Sequence, residues 1–184
     1  GGPYGDPSGR DWDDNWRRFA AFGRAAADLA SGAVKGFRFD VLHAHDWQSG
    51  LAPAYLRFAP AGGRCARSVM TIHNIAFQGR YDGGIFGSLA LPDRAFAVDG
   101  VEYYGGVGYL KAGLEAADAI TTVSPTYAAE ILRPEFGMGL EGLIRTRRDR
   151  VSGIVNGIDP AVWDPATDAA LPGNYDASSL AHRA

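Results

Sequence analysis

The residues best suited to chemistry fall in two short runs, His43-Ala44-His45-Asp46-Trp47 and Thr71-Ile72-His73-Asn74. Together they hold three of the chain's four histidines, each run closing on an imidazole beside a carboxylate or an amide. Imidazole titrates nearest neutrality, so it can donate, accept or carry a proton. A carboxylate at its side can offset positive charge that develops during a reaction. In an extended segment His43 and His45 share one face while Asp46 points away. Several readings stay open at this level. A His-x-His pair at a strand end is one way to hold zinc, which would make the chain a metal-dependent hydrolase using His43, His45 and Asp46; a non-catalytic sugar-nucleotide-binding α/β module is the other alternative. Alternatively His43 is a packed histidine satisfied by a hydrogen bond, and Asp46 is the N-cap of a helix starting at Trp47. His73 reads either as a satisfied polar group ending a strand or as a catalyst. Ser124, followed by Pro125, fits a helix cap better than a nucleophile. Asn156-Gly157-Ile158-Asp159 is a turn that can also border a cleft.

Four short runs must position these groups: residues 39–44, 68–73, 119–123 and 151–155. The first two are apolar enough to predict strands buried on both faces. Between them lie helical patterns: from Asp13 to a stop at Gly32, over 47–58 with Gly50 and Pro53 as interruptions, and over 109–117, 125–132 and 140–147. In the first helix Trp16, Phe19, Phe22, Ala26 and Leu29 form the expected core stripe. The glycine-rich stretch 79–106 reads as a long functional loop with one short helix near residues 92–96. Strands alternating with helices predict an α/β fold with a parallel, doubly wound (Rossmann-like) sheet. Ligands of such sheets bind beyond the carboxyl ends of the strands. There the four strands deliver His45 and Asp46, His73 and Asn74, Ser124, and Asn156 with Asp159.

Composition narrows the classes. With 184 residues, 46% hydrophobic and 21% charged, the chain is globular in character and not disordered. Its net charge of −3 gives no basic footprint, so no nucleic-acid partner is expected. The lone cysteine, Cys65, rules out an internal disulfide or a Cys-based zinc site and is compatible with a reducing cytoplasm. No apolar run approaches the ~20 residues of a membrane helix, and the first ten residues lack the features of a signal peptide. A cytoplasmic location without a membrane partner is the expectation. The absence of an initiating Met suggests that the chain does not start where its gene does. The basic run from Arg145 to Arg150 reads as a solvated helix end. Neither a Gly-x-Gly-x-x-Gly nor a Gly-x-Ser-x-Gly pattern follows any strand, which leaves dinucleotide binding and α/β-hydrolase chemistry unsupported.

The same runs carry a resemblance. His43-Ala44-His45-Asp46-Trp47-Gln48-Ser49-Gly50-Leu51-Ala52-Pro53 and Thr71-Ile72-His73-Asn74-Ile75-Ala76-Phe77-Gln78-Gly79 resemble motifs of bacterial glycogen synthases and plant starch synthases. So do Tyr109-Leu110-Lys111-Ala112-Gly113, Thr122-Val123-Ser124-Pro125-Thr126-Tyr127, Phe136-Gly137-Met138-Gly139-Leu140-Glu141-Gly142-Leu143, and Val155-Asn156-Gly157-Ile158-Asp159 with Trp163-Asp164-Pro165. The resemblance spans nearly the whole chain in the family's order. It implies the GT-B architecture and a metal-independent, retaining transfer of glucose from ADP-glucose to the non-reducing end of an α-1,4-glucan. By position, Asp46 matches an essential acidic residue of the cleft and His73 the histidine beside the transferred glucose, with Asn74 next to it. Tyr4 matches a tyrosine near sugar and acceptor, and Asn156 a cleft residue near the hinge.

The resemblance also implies what is missing. The family's Lys-Thr-Gly-Gly-Leu-Ala-Asp loop, its diphosphate-clamping Arg and Lys, and its Glu-Pro-Cys-Gly-Leu region do not occur. Residues 1–160 are therefore expected to be the C-terminal half of the N-terminal GT-B domain. Residues 161–184 would begin the interdomain crossover and a polar tail. Such a segment is expected to be inactive alone, to need the remaining strands and the second domain, and to expose a sheet edge that leaves it marginal or aggregation prone.

Overall fold

The computed structural model describes residues 2–63 and 66–180. Cys65 lies outside the described residues. Two compact units result, one ending at Ile154 and the other beginning at Val155.

The first unit opens with α1 (Asn15–Ala30), then β1 (Val41–His45), α2 (Asp46–Ser49), α3 (Leu51–Phe58) and β2 (Arg67–Ile72). After β2 come β3 (Arg80–Tyr81), two 3-10 turns, β4 (Glu102–Tyr103) and β5 (Gly106–Gly108). The unit closes with α4 (Tyr109–Ala116), β6 (Ala119–Thr122), α5 (Pro125–Glu130), α6 (Glu141–Thr146) and β7 (Val151–Gly153). The four longer-range strands form one parallel sheet in the order β1-β2-β6-β7. The parallel α/β class follows from the alternation of strand and helix, as expected.

One face of that sheet is the core. Ala44, Met70, Ile72 and Ile120 are almost fully buried with Leu110, Leu114, Ile131 and Ile144. Each large side chain buried there stabilises the fold by about 1.5–3 kcal/mol relative to exposure. The opposite face carries His43, Thr71 and Thr121, linked across three strands by short polar contacts: His43 Nε2 to Thr71 Oγ1 at 2.6 Å and Thr71 Oγ1 to Thr121 Oγ1 at 2.5 Å.

Four sequence expectations need correction. First, β1 is not buried on both faces. It is an edge strand, with Val41 54% exposed and His43 and His45 exposed. Apolar composition reports what a strand can bury, not what lies beside it. Second, the buried face of α1 is Ala20, Gly23, Ala27 and Ala30, one residue round from the predicted stripe, and Phe22 is 56% exposed. The small residues win because α1 lies tight against α3. A Cβ on Gly23 would meet Ala52 N at 3.1 Å and Leu51 Cβ at 3.3 Å.

Third, the stretch 79–106 is more than a loop. The short helix expected near 92–96 is present as a 3-10 turn over Asp93–Ala95, but short strands also pair as an antiparallel sheet, β3-β5-β4, and Leu89, Leu91, Ala95 and Val101 are buried. Buried Lys111 ties it down, donating from Nζ to the carbonyls of Val98 and Gly100. Fourth, the basic run is not merely solvated. Arg147 donates to the carbonyls of Leu114, Glu115 and Ala117, satisfying the open C-terminal end of α4.

The second unit is built of turns. Asp159 Oδ1 accepts from Ala161 N–H at 2.9 Å, and Asp164 Oδ1 from Ala166 N–H at 3.0 Å. No described helix is long and apolar enough to cross a membrane.

The outer side of β1 is unpaired among the described residues, and Phe37, Phe39 and Val41 beside it are exposed. Open apolar edges pair with other chains. The purified chain is therefore expected to self-associate with rising concentration, and Val41→Lys to shift it towards monomer. Sedimentation velocity checks this: a concentration-independent monomer of the unsubstituted chain contradicts it.

Candidate functional site

The parallel register sets His43 opposite Val69 and His45 opposite Thr71, so β1 and β2 end side by side. The turn after β1 puts Asp46 at φ +52°, a left-handed conformation that Asp tolerates better than most residues at a cost of about 1–3 kcal/mol. That turn decides where the carboxylate goes. It does not cap α2: His45 holds the N-cap position. Ser49 closes the helix start instead, its hydroxyl donating to His45 O at 2.7 Å and accepting from His45 N–H at 2.5 Å. The Asp46 carboxylate reaches across to the neighbouring strand tip. Oδ1 accepts from His73 N–H at 2.8 Å and from Asn74 N–H at 3.4 Å. No hydrogen bond engages Oδ2 among the described residues. Asp46 is half-buried, whereas His73 and Asn74 are exposed, so the group forms an open shelf at the carboxyl edge of the sheet.

The imidazoles are arranged in a row. His45 Nδ1 lies 3.0 Å from His73 Nε2. The His43 and His45 rings are 4.2 Å apart, and His43 is anchored on Thr71. Partial desolvation among these rings pushes the His45 imidazole below the ordinary histidine value. Repulsion from His43 and His73 acts the same way, and the Asp46 carboxylate opposes both. His43 thus makes the hydrogen bond expected of a structural histidine, although its ring is exposed and not packed. The zinc alternative finds no support in the geometry: His43 Nε2, His45 Nδ1 and Asp46 Oδ1 are each engaged by a different protein partner. Among the described residues no group of three or more His, Cys, Asp or Glu is placed to hold a metal ion.

The shelf is braced from below. Asn74 Oδ1 accepts from Ala76 N–H at 3.0 Å in a tight turn, and the Tyr127 hydroxyl accepts from Ile75 N–H at 3.1 Å. Tyr127 is in turn placed by Ser124, whose Oγ caps α5 by accepting from Tyr127 N–H at 2.9 Å. That cap matches the sequence reading. Trp47 is wedged beside Gly79, whose backbone sits at φ +57° and where a Cβ would stand 2.4 Å from the indole. The Phe19 ring meets Trp47 edge-on at 4.8 Å, and the Tyr4 ring lies 6.0 Å from Phe19. Tyr4, half-exposed, is therefore joined to the shelf through two aromatic rings. Asn156 belongs to the second unit, where it is exposed. Sequence reasoning missed the His45–His73 pair and the Tyr127 strut. The signal for the pair was present: two imidazoles ending neighbouring parallel strands.

A family profile described as the starch synthase catalytic domain matches residues 1–146. The chain belongs to the starch synthase catalytic domain family. This chain is 70% identical over 184 residues to the glycogen synthase of Novosphingobium aromaticivorans and 62% identical to that of Mesorhizobium japonicum. It spans 38% of the length of each. In shape it is similar to the catalytic domain of starch synthase IV from Arabidopsis thaliana bound to ADP and acarbose. The TM-score is 0.75 at 33% identity, over 95% of this chain and 36% of that one. The expected assignment to part of a GT-B α/β domain holds. Tyr4, Asp46, His73 and Asn74 fall inside the residues that the family profile matches, and Asn156 falls beyond them.

Proposed function

We propose that the protein to which this chain belongs transfers glucose from ADP-glucose to the non-reducing end of an α-1,4-glucan in the cytoplasm, retaining the anomeric configuration. This chain supplies one wall of the cleft. The observation that carries the reading is the Asp46 bridge: a carboxylate clamps the backbone of His73 at the exposed carboxyl edge of a parallel sheet. Ligands of such sheets collect at that edge. The names of the relatives support the chemistry, and the ADP and acarbose bound to the structural neighbour support the substrate class.

In this reading His73 hydrogen-bonds the transferred glucose and fixes its attack geometry. Asp46 keeps Oδ2 free beside it, so a negative charge stands near the oxocarbenium-like centre of the transition state. Asn74 and Tyr4 border the sugar and acceptor, and a substrate-binding role for Asn156 rests on the family resemblance alone. Stabilising the departing diphosphate requires cations or helix N-termini supplied by the remainder of a full-length synthase, so the isolated 184-residue chain is expected to transfer nothing.

The test is an exchange. The homologous segment of the Novosphingobium enzyme is replaced by this chain, and incorporation of labelled glucose from ADP-glucose into glycogen is measured, with UDP-glucose as competitor. Activity within a few-fold of the parent supports the proposal. A folded but inactive chimera, or transfer by the isolated chain, contradicts it.

A further inference from the structure

His73 is held twice from β1, and the second grip has a consequence for chemistry. Asp46 takes its main-chain N–H at 2.8 Å. One residue earlier, His45 meets its ring, Nδ1 to Nε2 at 3.0 Å. We infer that His45 is the positioning residue of His73: it fixes the orientation and tautomer of that ring and leaves Nδ1 as the nitrogen offered to a sugar hydroxyl. The inference rests on the reading of His73 as the glucose-contacting histidine.

The argument is one of proton counting. Two ring nitrogens 3.0 Å apart make a hydrogen bond only when a single proton lies between them. Two lone pairs, or two N–H groups, repel. The tautomer of one ring therefore dictates that of the other. A ring free to rotate would sample several orientations, with either nitrogen outward. Held by His45, it presents one. No hydrogen bond engages His73 Nδ1 among the described residues, so that nitrogen is the one available to a ligand.

His45 is itself steadied. Its ring lies 4.2 Å from that of His43, which Thr71 anchors at 2.6 Å, and its main chain is closed on Ser49. The groups facing it are His43, His73 and Asp46: partial desolvation and the two imidazoles lower its basicity, and the Asp46 carboxylate opposes them. The pairing needs one bare nitrogen and one N–H between the two rings, and two fully protonated rings at this distance would repel. The chain of supports runs from Thr121 through Thr71 and His43 to His45, and ends on the ring that meets the sugar.

Two substitutions in the exchanged synthase test this. His45→Leu removes the partner and is expected to lower kcat about 10–100-fold, the effect of misplacing a group by an ångström, with KM for ADP-glucose little changed. His45→Asn keeps a polar atom near the place of Nδ1, suits the N-cap position, and is expected to recover most of the loss. On the 184-residue chain, proton–nitrogen correlation spectra of the imidazoles report which ring nitrogen carries the proton. In the unsubstituted chain His45 Nδ1 and His73 Nε2 should share one proton, with complementary tautomers, and the His73 spectrum should change in His45→Leu. An unchanged His73 spectrum in His45→Leu overturns the inference, as does equal turnover of the Leu and Asn variants, whether impaired or not. If His73→Ala keeps parental turnover while the spectra still report the pair, the glucose-contact reading of His73 fails and the pair is merely structural.

Discussion

Asp46→Asn in the exchanged synthase is expected to cut turnover by about 10²–10³-fold, the typical effect of removing one electrostatic stabiliser from a reacting centre, while the protein stays folded. The substitution separates two roles that the carboxylate combines. Asparagine tolerates the left-handed conformation seen at φ +52°, and its Oδ1 can still accept from His73 N–H. What it removes is the charge. Asp46→Ala removes the acceptor as well and leaves the N–H groups of His73 and Asn74 without their carboxylate partner. That variant is expected to destabilise the chain by about 1.5–3 kcal/mol, the range for a hydrogen bond to a charged group. Glucose incorporation and urea midpoints together decide the matter. Should the Asn variant keep more than a tenth of parental turnover, the negative charge is not required, and Asp46 acts as a strut alone.

Gly50→Ala is expected to have the largest effect on the fold. Its backbone is ordinary helix, φ −61° and ψ −25°, so conformational freedom does not explain the glycine. Proximity does. A Cβ there would stand 2.1 Å from the carbonyl oxygen of Tyr109 and 2.6 Å from its carbonyl carbon. Gly113, one turn along α4, faces back at Gly50: its own Cβ would come within 2.9 Å of Gly50 O and 3.0 Å of Gly50 Cα. The clash is with backbone, so no side chain can rotate out of the way, and α2 must part from α4. Overpacking typically costs about 1–3 kcal/mol and occasionally more, and a clash with backbone belongs at the upper end, a large share of the about 5–15 kcal/mol that holds a domain together. Gly142→Ala is the control. It is helical and exposed, and nothing lies within 4 Å of its Cβ position, so it should leave stability unchanged or raise it by up to about 1 kcal/mol. If Gly50→Ala unfolds at the same urea concentration as the control, the proposed backbone contact does not exist.

Gly50 also shows why parts of the structure were legible in the sequence and others were not. As punctuation it weakens the helical pattern over 47–58, and the helix is indeed divided there into α2 and α3. Its reason, a backbone 59 residues away in sequence, leaves no local trace. The strands were readable because runs such as Val69-Met70-Thr71-Ile72 carry their own bias, and Ser124-Pro125 because capping is local. Strands of two or three residues, like β3 to β5, are shorter than any period that could reveal them. Asp46 obeyed tertiary structure over the local capping rule, since its turn aimed it at the next strand. The shelf itself was foreseeable in outline: parallel neighbours bring their ends together, so residues closing β1 and β2 had to meet. Which atoms meet was not.

The appendage between β2 and α4 has a narrow neck. Tyr109 N–H donates to Gly79 O and Leu110 N–H to Gln78 O, both at 3.1 Å, so the chain leaves and rejoins the sheet at one stitched point. Its outer turn, at Tyr104 and Gly105, is exposed, whereas the rest of the segment packs with α1 and α3 in one core cluster. Lengthening the turn adds only a slowly growing closure entropy. The outermost bend is thus a place where length can drift, or a foreign peptide be spliced in, at little cost to the fold.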